Sequence, residues 1–222
     1  MDAGFVFSNY GLALVAVVLL SLCFHEYCHA LVADRLGDDV PRREGRLSIN
    51  PLKHLSFVGT LVFILTQGFG WARPVPVNFV RLGLRGTALV AIAGPLSNVL
   101  LACASALLLG IMKALSLDGK AAAIAAFTLS LSTYVNVLLA LANILPIPPL
   151  DGFRVLLFLA SKRKNLKIQK YGLHNMRAYM MLDLAGAASV GILHLSGVLS
   201  DYFSLGKHIF EFLVALSFSI FS

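Results

Sequence analysis

Residues Gly11–His29, GLALVAVVLLSLCFHEYCH, decide how the rest of the chain is read. No charge interrupts the run from Gly11 to Phe24, and with the motif it continues to about Asp34. That length suits a bilayer-spanning helix of about 20 residues. Ionisable residues at the end of such a helix are costly to bury in lipid and mark a functional site by default. Positions i and i+4 share one helix face, so His25 and His29 can direct two imidazoles at one metal ion. Glu26 is offset by about 100° per residue and can reach a water at that metal. The arrangement is the HExxH pattern of two metal ligands and a general base. Three polar groups in hydrocarbon leave the competing reading, a polar patch on a helix, without an explanation for their cost. Cys28 also neighbours His29, but it points away from the face shared by the histidines and is not expected to be a ligand.

Composition agrees with a membrane setting. The chain has 222 residues, 58% hydrophobic and only 13% charged, with a mean hydropathy of +0.83. Soluble domains carry about 25% charged residues. No soluble domain of ordinary size fits between the apolar runs. A cleaved signal peptide is not expected, because Asp2 stands where a basic segment belongs and cleavage would discard the motif. The net charge of +7 points to cytoplasmic loops and anionic headgroups rather than nucleic acid. Three cysteines, Cys23, Cys28 and Cys103, all in apolar runs, give no disulfide framework.

The chain reads as an all-α polytopic membrane protein with about five transmembrane helices and a re-entrant, β-hairpin-like element. The first span covers about 10–33. Gly45–Pro51 alternates polar and apolar residues, which predicts a short strand ended by Asn-Pro. Residues 55–70 are apolar but short and broken by Gly59, Gly68 and Gly70. In Gly70–Asn78, Pro74 and Pro76 exclude a helix. Further spans are expected at 86–112 and 121–145. The latter breaks at Pro146-Ile147-Pro148-Pro149 and resumes through Leu150 to about 160. Tyr179–Val198 and Tyr202–Phe221 read as a closing helical pair turning at Ser200-Asp201. The resulting organisation is a catalytic membrane core over 1–160, a basic loop over 161–177 and a C-terminal hairpin over 178–222.

Charge sets the expected topology. The segments 34–54 and 162–177 are the most basic and belong in the cytoplasm. Both stay inside only if 55–80 dips into the membrane and returns, which places the N-terminus outside. Non-helical backbone at that depth must be buried in protein or line a watery cavity.

A zinc site needs a third protein ligand and an open position. Asp151 is the best candidate. Three prolines in four residues interrupt the helix before it, and Gly152 permits close approach of another backbone. The alternative is a proline-kinked span with an ordinary capping aspartate.

HEYCHA, AGPLSN and NILPIPPLDG, in this order, resemble the site-2 protease family of intramembrane zinc metalloproteases. GWARPVPVN and GRLSINPLKH resemble its short prokaryotic branch. The likeness covers roughly residues 20–155. It implies one zinc ion per chain, held by His25, His29 and Asp151, with Glu26 as general base. It also implies a three-helix core that admits a transmembrane substrate, whose helix must partly unwind. The PDZ and CBS domains frequent in that family have no room here. Asn98 and Asn143 match family positions and are expected to contact the oxyanion or substrate backbone, the alternative being interhelical hydrogen bonds. An extended substrate can add to an edge formed by Val75, Val77 and Asn78, or that segment is a structural plug. His54 is a candidate transient ligand, gate or proton donor, against the alternative of an interfacial surface histidine. His194 is expected to bond between helices, and Lys207 with Glu211 to form an i,i+4 ion pair.

The expected function is hydrolysis of peptide bonds in or near transmembrane segments of membrane proteins. A metal or proton transporter using the same cluster is the alternative. Transporters commonly show broken helices in corresponding halves, and only one broken span is visible. An inactive scaffold is a further alternative, although it has no need of Glu26.

Overall fold

The computed structural model of the chain describes residues 9–54, 75–161 and 198–220. Every regular element among them is helical. Helix α1 spans Asn9–Arg35, the short α2 spans Val40–Arg43, and a single 3-10 turn spans Pro51–Lys53. Helix α3 spans Phe79–Ala114, α4 Lys120–Ile144, α5 Asp151–Ser161 and α6 Val198–Ile220. Among the described residues three helices, α1, α3 and α4, are long and apolar enough to cross a membrane.

Helix α3 is the hub and packs against α1, α4, α5 and α6. Its 36 residues would extend about 54 Å if straight, well beyond a hydrocarbon core of about 30 Å. Gly83 breaks it with φ +60°, a conformation that glycine adopts without strain. The first turn, with Arg81, is thereby separated from the apolar rod that begins at Leu84.

The interior is made of small residues. Ala88, Ala91, Ala102 and Ala106 of α3 are buried, as are Ala30 and Ala33 of α1 and Ala140 of α4. Small side chains let membrane helices approach closely. Large leucines point outward instead, Leu100 and Leu108 of α3 and Leu20 of α1 among them. On α1 the buried positions Val17, Ser21, His25, His29 and Ala33 recur every four residues, so the HExxH histidines lie on the face turned into the bundle.

After α1 the chain turns at Gly37 and buries Asp38 completely. One Asp38 oxygen accepts from Val40 N at 3.2 Å and the other from Asn78 N at 2.6 Å, tying the approach to α3 back to the end of α1. Asp39 accepts from Arg81 at 2.8 Å and from Arg43 at 3.2 Å, and Arg42 grips Asp34 with two bonds of 2.8 and 2.6 Å.

Two sequence expectations are corrected. Gly45–Pro51 is not a strand. No strand faces it among the described residues, Gly45 has φ +66°, and the Asn50 side chain accepts from Leu52 N to cap the 3-10 turn. Alternation without a pairing partner does not make a strand. Ser200 and Asp201 do not form a turn but lie within α6, where both residue types suit the beginning of a helical stretch. The earlier helix of that expected pair lies at 179–198, almost wholly outside the described residues, and so does most of the re-entrant element. Of that element, residues 75–78 carry no regular secondary structure and α3 begins at Phe79. His208 and Lys207 both approach Glu211 on the surface of α6, the lysine at 3.8 Å.

Candidate metal centre

One turn of α1 separates His25 from His29, and their rings meet edge to face with centroids 4.5 Å apart. The two Nε2 atoms are 2.9 Å apart. Asp151, the first residue of α5, brings Oδ2 to 3.2 Å from His25 Nε2 and 3.1 Å from His29 Nε2. All three residues are buried, and their ligand-type atoms form a group able to hold a metal ion. Bonds of about 2.0–2.1 Å to a tetrahedral zinc place ligand atoms roughly 3.3 Å apart, so the observed triangle fits that metal. Two imidazoles and one carboxylate are also a donor set that zinc takes in catalytic sites.

Helix α3 forms the wall of the site. A Cβ on Gly94 would run into His29 Nε2 and the His25 ring, so only glycine fits there. Gly152 is equally constrained, because a Cβ would meet the Ile144 carbonyl at the end of α4. That close crossing brings Asp151 back to the histidines after the proline-rich break.

The outer nitrogens of the histidines are held by α3. His29 Nδ1 donates to the Val90 carbonyl at 2.7 Å. His25 Nδ1 donates to Asn98 Oδ1 at 2.6 Å. Both assignments leave Nε2 with its lone pair toward Asp151, the form a metal ligand requires. Asn98 Nδ2 donates to Asn136 Oδ1 of α4 at 2.8 Å. Asn136 Nδ2 in turn lies 2.9 Å from Ser21 Oγ and 2.9 Å from the Ser132 carbonyl. On the acidic side, Arg154 donates to Asp151 Oδ1 at 3.2 Å, and its guanidinium lies 5.5 Å from the centre of the Phe79 ring.

Glu26 stands outside this triangle, and its Oε2 accepts from Val75 N at 3.0 Å. Val75 and Val77 are half-buried. Asn78 caps α3, its side chain accepting from Arg81 N at 3.0 Å. Asn143 donates to the Leu139 carbonyl of its own helix at 3.0 Å. His54 is not a surface residue. It is fully buried, its Nε2 lies 2.7 Å from the Ser48 carbonyl, and its Nδ1 has no partner among the described residues. The alternative of an exposed interfacial histidine is therefore not met.

Sequence reasoning missed Asn136, Arg154, Asp38 and the Val90 carbonyl. Arg154 had a signal, since an i,i+3 spacing from Asp151 on a helix makes the pair neighbours. Asn136 had a weaker one, an amide in an apolar span. The Val90 carbonyl has none, being backbone.

Comparison with known proteins gives concordant results. The pattern of Peptidase family M50 matches residues 107–183, which include Asp151. Three bacterial relatives carry the name "Putative zinc metalloprotease". YwhC of Bacillus subtilis (strain 168) is 44% identical over 152 residues, covering 64% of this chain and 67% of that protein. Rip2 of Mycolicibacterium smegmatis is 34% identical over 148 residues, and Rip2 of Mycobacterium tuberculosis 34% over 149. In both Rip2 alignments 64% of this chain and 55% of the relative are covered. No solved structure matches.

Proposed function

Because the chain belongs to peptidase family M50, the site-2 protease family, and is an integral membrane zinc metalloprotease, we propose that His25, His29 and Asp151 hold the zinc and Glu26 is its general base. The observation that carries this is the buried triangle of 2.9, 3.1 and 3.2 Å between three ligand atoms, with a carboxylate next to it in sequence. When bound, zinc supplies a Lewis acid that polarises a carbonyl and lowers the pKa of water towards about 7. Glu26 takes the proton of the attacking water and passes it to the leaving amine. Val75 N–H holds Oε2 and leaves Oε1 to face the reaction. Asn98 acts through His25, since its side-chain oxygen accepts from His25 Nδ1 and one of its amide N–H groups goes to Asn136. Asn143, one turn before the break that carries Asp151, contacts the substrate backbone. The substrate is a transmembrane segment of another membrane protein, drawn out into an extended strand beside Val75 and Val77. His54, whose Nδ1 has no partner among the described residues, is a gate residue. The basic segments lie in the cytoplasm and the N-terminus outside.

Zinc content and cleavage of a transmembrane peptide in detergent, for wild type and Glu26→Gln together, test the assignment. Both proteins should bind about one zinc per chain and only wild type should cut. Cleavage by the variant would remove Glu26 from the reaction. Absence of zinc from wild type would remove the metal centre.

A further inference from the structure

We infer that Asn136, on α4, is a positioning residue that sets the tautomer of His25 through Asn98, and that it thereby tunes the hold of the site on zinc. The inference rests on the zinc reading of the site. An amide side chain has a donor end and an acceptor end, and a partner with only one possible role fixes which way it points. The Ser132 backbone carbonyl is such a partner, because it can only accept. Asn136 Nδ2 lies 2.9 Å from it, so Asn136 Oδ1 must point the other way. That oxygen receives Asn98 Nδ2 at 2.8 Å, so Asn98 Oδ1 must face α1. There it meets His25 Nδ1 at 2.6 Å and requires a proton on it. The lone pair of His25 is thereby left on Nε2, facing His29 and Asp151.

Each step is a choice between two orientations, and the choice is made on a different helix. The hydroxyls of Ser21 and Ser132 that also approach Asn136 can donate or accept, so they impose no direction. Asn98 and Asn136 are both 0% exposed, so neither amide faces bulk water. His29 needs no relay, because the Val90 carbonyl fixes its Nδ1 proton in one step. His29 is therefore the internal control.

Without Asn136, the Asn98 amide is free to turn over and offer Nδ2 to His25 Nδ1. His25 would then carry its proton on Nε2, where it cannot bind metal. The test is histidine 15N NMR on metal-free and zinc-loaded full-length protein, with zinc affinity measured by chelator competition. The variants are Asn136→Leu, Ser21→Ala and Ser132→Ala. In wild type, His25 carries its proton on Nδ1 even without metal. In Asn136→Leu, His25 shifts toward the Nε2–H form, His29 does not, and zinc affinity falls about 10–100-fold, the range for lost support of a metal ligand. Ser21→Ala and Ser132→Ala leave the tautomer and the affinity close to wild type. An equal loss in all three variants would mean that the polar cluster only holds helices together, and would overturn the inference. So would an unchanged His25 in Asn136→Leu. If Asn136→Leu fails to fold, the wild-type spectrum still decides, since an unprotonated His25 Nδ1 in metal-free protein sinks the relay. Failure of wild type to bind zinc would overturn the metal assignment while leaving the tautomer measurement readable.

Discussion

Gly94 sits where α3 crosses the two imidazoles, and its missing side chain is what admits them. Replacing it with alanine forces a methyl group into the His25 and His29 rings. Helix propensity favours alanine over glycine by about 1 kcal/mol, so the helix itself should not suffer. Gly94→Ala is expected to keep its helical circular dichroism and to lose most of its zinc and its activity. Metal analysis of the purified variant checks this; full zinc occupancy would show that the wall yields. At this scale the sequence told a good deal. His25 and His29 could be grouped because a four-residue spacing has one meaning on a helix. Asp151 could be added because the prolines before it break the span. Asn98 was less legible, since an amide inside an apolar helix has the same signature whether it faces a ligand or a neighbouring helix. Only the position of Asn136, 38 residues away, distinguishes these uses.

Among the elements, α3 depends most on what precedes it. Its approach is tied down through Asp38, whose carboxylate accepts from Val40 N and Asn78 N. Hydrogen bonds to charged groups contribute about 1.5–3 kcal/mol each, and the Asp38 acceptor is itself fully buried. Asp38→Ala should therefore lower the midpoint of denaturation in mixed detergent. It should also reduce cleavage more than zinc binding, because Asn78 and Val75 belong to one short segment before α3 and Val75 N reaches Glu26. Equal losses of zinc and cleavage would mean that Asp38 supports the whole bundle instead. The elements were legible where hydropathy runs were long: α1, α3 and α4 lie close to where the apolar spans were expected. They were misread where a pattern had two explanations. Gly45–Pro51 alternates like a strand, yet alternation records only which residues are polar, and no neighbouring strand exists among the described residues to pair with it. Ser and Asp at 200–201 serve a turn and the first part of a helical stretch equally well.

For the whole molecule, the arrangement of small residues inside and leucines outside matches lipid as the surrounding solvent. Topology is tested by single cysteines in a chain lacking its native ones. Lys120→Cys should react with an impermeant maleimide added outside cells, and Gly70→Cys should not. Labelling of Gly70→Cys but not of Lys120→Cys from outside would mean that the 55–80 segment crosses the membrane rather than returning.

The buried stripe on α1 also sets a length scale. Arg35 ends the helix, with His29 six residues before it and His25 ten. At 1.5 Å per residue these lie about 9 and 15 Å from that end. If Arg35 marks the water boundary, the bond to be cut must be carried to that depth, up to half the thickness of the hydrocarbon. The enzyme then behaves as a ruler fixed to the membrane surface. Inserting four apolar residues between a substrate's boundary charge and its cleavage site should move the cut toward that charge by the added length, as read by mass spectrometry of the products. A cut that stays with its local sequence would show that side-chain recognition, not depth, selects the bond.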